Sequence, residues 1–397
     1  MHIDKKMNYN KTMYACFIGY IVQAVVNNFA PLLFLTFEKD YSVELSKITL
    51  LVTVNFLVQL AVDLLSAKFV DKIGYKASAV IAHLFSFFGL VFLAILPDLF
   101  GNAFAGLLIS VVVYAIGGGL IEVIISPIME SCPTDNKEKA MSLLHSFYCW
   151  GHVGVVLLST IFFKAFGITN WKILALLWAV IPLLNIFLFL KAPIAPLLKD
   201  GERRMSLREL FTNKLFWVLL VMMVAAGASE QSVSQWASAF AEQGLGVSKA
   251  TGDLAGPMLF AVLMGISRVF YGKFGDKINL DKFMIISSLL CVMSYLAISL
   301  VASPVLSLIS CGLCGLSVGI MWPGTFSKAA GALKQGSTAM FALLALGGDL
   351  GCSVGPTLVG FASSSLGNNL KGGILCAVVF PVLLLICIMT CKKIKKV

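Results

Sequence analysis

Charge is what this chain most lacks. Only 13% of its 397 residues are charged and the acids number just 20, while 59% are hydrophobic and the mean hydropathy is +0.92. A soluble domain carries roughly 25% charged residues, so the shortage excludes an ordinary water-facing surface and indicates an integral membrane protein. Alternating ten-residue strands are also missing, which excludes an outer-membrane barrel. There is no phosphate-cradling GxxxxGK[ST], no zinc spacing and no nucleophile elbow, so no catalytic constellation competes and neither cofactor nor metal is expected. Cysteine is scarce outside the apolar runs, which leaves no disulfide framework in the outer loops. Cys311 and Cys314 spell CxxC, but inside an apolar run the pair reads as filling between helices.

What is present is long apolar runs. A bilayer core of about 30 Å needs roughly 20 apolar helical residues per crossing. Twelve windows of that kind occur, at about 12–36, 46–70, 78–97, 103–129, 140–165, 170–191, 215–240, 253–272, 283–302, 305–330, 337–362 and 372–391. The first run is too long for a signal-peptide core and is expected to remain as helix one.

The net charge of +10 does not speak for nucleic acid, because of where it falls. With the N-terminus cytoplasmic, 23 of the 30 Lys and Arg lie in the two tails and the inner loops. Lys39, Lys47, Lys164, Lys172, Lys249 and Lys371 lie outside, and Arg268 lies within a helix. That is the positive-inside bias, so both termini are expected in the cytoplasm and the partner is a lipid bilayer.

The chain also repeats itself. Residues 67–73 read AKFVDKI and residues 272–278 read GKFGDKI, five identities in seven at an offset of 205. The expected organisation is a six-helix bundle over 1–191, a cytoplasmic linker over 192–214 and a second six-helix bundle over 215–397. The linker, with two prolines and several basic residues, has the composition of a flexible connection.

AKFVDKIGYK (67–76) resembles the signature between helices two and three of the major facilitator superfamily, with Ala67 where glycine is usual and Tyr75 in place of one base. The resemblance implies the major facilitator fold: all-α, twelve transmembrane helices in two pseudo-symmetric bundles around a midplane cavity, rocking to give alternating access. It implies gating or structural roles for Asp71, Gly74, Lys76 and Asp276, and it implies a monomer. Arg268, one turn before GKFGDKI, joins them as a pairing or snorkelling residue near the end of helix eight.

Polar residues inside the runs mark the expected path, since lipid cannot satisfy them. Helix two carries Asn55, Gln59 and Asp63 on one face. Helix one carries Gln23 and Asn27, helix five His145, Tyr148 and His152, helix seven Glu230, Gln231, Gln235 and Trp236, and helix eleven Asp349. Amides and carboxylates suit a ligand with many hydroxyls, and Trp236, Trp150, Tyr148 and Trp322 offer faces for a sugar ring. Helix joining by hydrogen bonds is the plainer alternative for each amide.

One glutamate, Glu122, stands in the apolar stretch GGGLIEVIISP (117–127). That stretch, with LLHSFYCWGHVG, LSVGIMWPGTFSKAAGAL, GGDLGCSVGP and VVNNFAP, is similar to segments of the fucose permease group, sugar symporters driven by protons. The similarity implies a proton-coupling role for Glu122. The group's helix-one aspartate is replaced here by Pro31, and Asp63 is a candidate for part of its role. The expected function is secondary transport of a sugar or similar polyol with protons, across a bacterial cytoplasmic membrane. Export of small organic molecules, sodium coupling, and a membrane-embedded sensor or scaffold are the alternatives.

Overall fold

The computed structural model describes residues 9–133, 137–194, 207–274, 278–333 and 338–394. The described chain is helical, with no strand among the described residues, and holds twelve spans long and apolar enough to cross a membrane. We number them α1 (Asn10–Tyr41), α2 (Leu45–Ser66), α3 (Tyr75–Leu99), α4 (Ala103–Met129), α5 (Leu143–Phe166), α6 (Ile168–Lys191), α7 (Lys214–Gly244), α8 (Lys249–Tyr271), α9 (Leu280–Leu300), α10 (Pro304–Ala329), α11 (Leu343–Ser365) and α12 (Leu370–Cys391). All twelve expected windows are occupied. Asparagines cap several starts: the side chains of Asn102, Asn213, Asn279 and Asn369 accept from backbone N–H groups two or three residues on.

Several spans, α1, α7 and α8 among them, are not continuous α-helix. In α1 the helix stops at Asn28 and a 3₁₀ turn covers Ala30–Leu33 before helix resumes at Phe34. Pro31 explains the break, because it has no N–H for the carbonyl four residues earlier. In α7 the helix ends at Ser234, and a short piece, Ala237–Ala239, leads into a π-turn at Phe240–Gly244. In α8 a second π-turn, Leu254–Met258, contains Pro257.

Two compact units emerge. One comprises Met1–Lys47 with Leu57–Lys199, the other Ile48–Phe56 with Asp200–Val397. In the first, α4 lies tightly against α3 because glycines remove the side chains between them. A Cβ on Gly89 would sit 2.7 Å from the Tyr114 Cα, and one on Gly106 would sit 2.6 Å from the Leu96 carbonyl. In the second, Gly351 and Gly355 do the same for α11 against Val224 and Ala228 of α7. With no hydrophobic drive between helices in lipid, such close approach is what membrane packing relies on.

Buried polar residues fasten further helices. His83 of α3 is enclosed, with Nδ1 2.7 Å from the Ala79 carbonyl and Nε2 2.8 Å from Asn185 Nδ2. Asn185 of α6 also donates to Ala15 O of α1 at 3.0 Å. The amide therefore presents its N–H groups to both neighbours, and Nε2 is the acceptor nitrogen of the imidazole. The string GLSVG (315–319) spells G-x-S-x-G, a match the sequence reading passed over, but it lies along α10 with Ser317 Oγ donating to Cys314 O at 2.6 Å. A nucleophile elbow needs a strand-to-helix turn that exposes the serine, and here Ser317 is fully buried.

Candidate functional site

In the first unit the expected polar residues of α1, α2 and α4 converge. Gln23 Nε2 donates both to Gln59 Oε1 at 3.1 Å and to Glu122 Oε2 at 3.2 Å. Gln59 Nε2 in turn donates to Asn27 Oδ1 at 2.8 Å. The result is a directional chain in which each amide gives its N–H groups toward the next acceptor and Glu122 terminates one branch. Gln23, Gln59 and Asn27 are all buried, and Glu122 is half-buried.

Local sequence makes the convergence possible. Gln23 and Asn27 are four apart on α1, so they share a face. On α4 the triglycine Gly117–Gly119 strips away side chains one turn before Glu122. A Cβ on Gly118 would lie 3.1 Å from Gln23 Oε1, and one on Gly119 would lie 3.0 Å from the Gln59 Cα. At a rise of 1.5 Å per residue, Gln23 and Gln59 lie roughly 20 Å along their helices from Asn10 and Ile73, about mid-membrane. Gln23 Oε1 faces Gly118 and is a buried acceptor with no hydrogen-bond partner among the described residues.

Around this chain, Asn28 Nδ2 donates to Ala24 O at 2.9 Å and reaches Tyr148 Oη at 3.4 Å. Tyr20 Oη lies 2.8 Å from Ser126 Oγ, and its ring stands 5.4 Å from that of His145. His145 is exposed, His152 is buried and Trp150 is exposed. Asp63 is half-buried on α2, one turn beyond Gln59. Asn55, buried, belongs to the stretch of α2 that groups with the second unit.

The second unit builds a comparable chain on α7. Gln235 Nε2 donates to Gln231 Oε1 at 3.0 Å, and Gln231 Nε2 donates to Glu230 Oε1 at 3.3 Å. Glu230 Oε2 receives Arg268 Nη2 of α8 at 3.3 Å. Of the two expected roles for Arg268, pairing or snorkelling, the geometry shows pairing, directed away from the nearby helix end. The residue stands six residues, roughly 9 Å, from Phe274, yet its Nη2 lies 3.8 Å from Met264 Sδ, one turn further into the span. Glu230 draws the guanidinium inward.

Trp236, at the break in α7, is wholly enclosed and donates from Nε1 to Pro356 O at 2.9 Å. Trp322 is half-buried, its six-membered ring over Gly348 and its centroid 6.3 Å from that of Phe326. Asp349 is buried on α11. Beyond the break, Ser238 Oγ donates to Asp253 Oδ1 at 2.5 Å and Lys249 pairs with Asp253 at 3.2 Å. The sequence reading missed this cluster, although an acid opening the apolar run of α8 was visible in KATGDLAGP (249–257). Among the described residues, no three His, Cys, Asp or Glu side chains are placed to hold a metal ion.

The sequence model of the Major Facilitator Superfamily matches residues 15–356. The chain belongs to the Major Facilitator Superfamily. Among curated proteins none matches it in sequence. Solved structures of superfamily type match its fold over nearly its whole length. The E. coli fucose:proton symporter FucP is 14% identical with a TM-score of 0.67, covering 97% of this chain and 99% of its own. A bacterial homologue of the human lysosomal transporter Spinster, inward-facing and occupied, is 15% identical with a TM-score of 0.74, covering 98% of each. The D-xylose–proton symporter is 15% identical with a TM-score of 0.73, covering 94% of this chain and 97% of its own. At such identities these likenesses show the fold alone.

Of the superfamily-type signature, Gly74 makes the turn after α2 with φ at +84°, a conformation that suits glycine. Lys76 reaches the Leu190 carbonyl at the end of α6 at 3.3 Å. The side chain of Asp71, and Asp276 altogether, lie outside the described residues.

Proposed function

We propose that this superfamily member is a secondary active transporter of a sugar or similar polyhydroxylated small molecule, working by alternating access as a proton symporter. The observation that carries the reading is the carboxylate-headed amide chain Glu122–Gln23–Gln59–Asn27 deep in an apolar unit. Primary amides present paired donors and acceptors, the complement of a hydroxyl-rich ligand. A carboxyl group at that depth is costly unless it is used. The fold is shared with FucP, a fucose:proton symporter, and with a D-xylose–proton symporter, which is consistent with this reading. The Spinster homologue shares the same fold, so the fold alone does not select the substrate.

In this reading Glu122 carries the proton, with Asp63 as an auxiliary acid. Gln23, Asn27, Asn55, Gln59, His145, Tyr148, Glu230, Gln231, Gln235, Trp236, Trp322 and Asp349 line or support the substrate path. Asp71, Gly74, Lys76 and Asp276 gate it. The protein sits as a monomer in the cytoplasmic membrane with both termini inside, as the positive-inside bias directs, and 192–214 joins the two halves.

The test is uptake of labelled hexoses and 6-deoxyhexoses into proteoliposomes, with and without an inward proton gradient, in wild type and Glu122→Gln. One sugar accumulating only with proton flow, and a variant that exchanges but no longer accumulates, supports the proposal. Accumulation driven by sodium, or a variant indistinguishable from wild type, refutes the proton role of Glu122.

A further inference from the structure

The second unit holds an ion pair whose position the proton cycle does not explain. Arg268 and Glu230 meet well inside their spans, and 17% and 10% of the two side chains remain exposed. A buried ion pair contributes little stability compared with apolar residues of the same size, and an ionisable residue within a bilayer span usually has a functional reason.

Three features bear on that reason. The Nη2 to Oε2 distance of 3.3 Å exceeds the 2.7–2.9 Å or so of a closed charge-assisted bond, so the pair is not clamped shut. Glu230 is aimed by its own helix, since Gln231 holds Oε1 and Gln235 holds Gln231. The residual exposure means that neither side chain is fully covered by protein.

We infer that the Glu230–Arg268 pair is a binding subsite for two adjacent hydroxyl groups of a neutral polyhydroxylated ligand, which makes Arg268 a ligand-binding residue rather than a gating one. The inference rests on the sugar reading above and goes beyond it by naming the recognised group. A hydroxyl donates one O–H and accepts on its lone pairs. One hydroxyl of a vicinal pair donates to Glu230 Oε2, and its neighbour accepts from Arg268 Nη2. Adjacent ring hydroxyls stand about one hydrogen-bond length apart, so a diol lies along the pair without separating it. The charge balance decides between ligand classes. Glu230 and Arg268 sum to zero, and a carboxylate-bearing ligand would have to displace Glu230 from the guanidinium. A site built this way rejects an analogue that lacks the hydroxyl, because a charged partner is then left unanswered.

The test is ligand-induced thermal stabilisation of the purified full-length protein by hexoses and pentoses, their monodeoxy analogues and the matching hexuronates. Wild type is compared with the charge-neutral double variant Glu230→Gln/Arg268→Gln. The expected result is that a neutral sugar stabilises wild type and that removing either of two adjacent hydroxyls weakens its apparent binding at least tenfold. The double variant leaves no buried charge unpaired; it should bind the parent sugar at least tenfold more weakly and no longer distinguish it from those two analogues. If the double variant is unstable, Arg268→Lys, which keeps the charge but not the planar fork, should show the same loss of discrimination. A variant that discriminates as wild type does overturns the subsite and leaves the sugar reading standing. Stabilisation by a hexuronate alone, abolished by Arg268→Gln, makes the ligand anionic and overturns the diol assignment. If no sugar stabilises wild type, the sugar reading falls and the subsite with it.

Discussion

Replacing Gly117, Gly118 and Gly119 of α4 by alanine, one at a time, should separate helix packing from the polar chain. At Gly117 the new Cβ would lie 2.6 Å from both the Ala82 carbonyl oxygen and the Ser86 nitrogen, backbone atoms of α3 that can yield only by moving the helix. At Gly119 it would lie 3.0 Å from the Cα and O of Gln59, again backbone but less close. At Gly118 it would meet side chains, Gln23 Oε1 and Val26 Cγ1 at 3.1 Å and Gln59 Cδ at 3.3 Å. Overpacking costs about 1–3 kcal/mol, so Gly117→Ala belongs at the upper end, Gly118→Ala at the lower and Gly119→Ala between. With roughly 2–4 °C of Tm per kcal/mol for a unit of this size, Gly117→Ala should lower Tm by about 6–12 °C and Gly118→Ala by about 2–4 °C. Thermal unfolding of the detergent-purified protein reads the order directly. Transport should respond differently: Gly118→Ala pushes on Gln23 itself and should impair uptake far more than its small Tm change accounts for. A wild-type Tm for Gly117→Ala, or Gly118→Ala as the least stable of the three, would refute the described approach of α4 to α3 and α2.

Two further substitutions test the buried fastenings. Asn185→Leu removes the donors to Ala15 O and His83 Nε2 and should cost about 1–2 kcal/mol, seen as a lower Tm; an unchanged Tm would mean that the amide does not tie α6 to α1 and α3. Trp236→Phe keeps a ring but loses the bond to the Pro356 carbonyl, about 1 kcal/mol. Because Trp236 is fully enclosed, Tm should fall while the KM for a transported sugar stays within about twofold, and a large KM change with Tm intact would instead put the ring on the substrate.

The broad plan was written in the sequence because a bilayer demands it. Each crossing needs its own apolar run, so Leu45–Ser66 or Leu370–Cys391 announces itself by length and composition alone. The amide stripes were legible for the same reason, since Gln23, Asn27 and Gln59 cannot be left in lipid. Which acceptor each amide would choose was not legible: Gln23 bonding both Gln59 and Glu122 depends on three helices meeting at a glycine window. The reach of Arg268 into the span was hidden likewise, because its partner Glu230 lies 38 residues away on another helix. His83 drew no role from sequence, and its fastening of α3 to α6 depends on Asn185, 102 residues on. The breaks in α7 left little trace, for Gln235–Gly244 contains no proline to announce them.

That broken stretch of α7 has a mechanical meaning of its own. A π-turn holds one residue more than the α-helical turns beside it. Handing that spare residue along the helix rotates everything beyond it by about 100°. Ser238 of α7, bonded to Asp253 at the head of α8, sits just before the π-turn at Phe240–Gly244, and α8 carries its own π-turn at Leu254–Met258. The two spans thus hold, at the same level, the slack to turn one set of side chains away and bring another round while the long helices on either side stay whole.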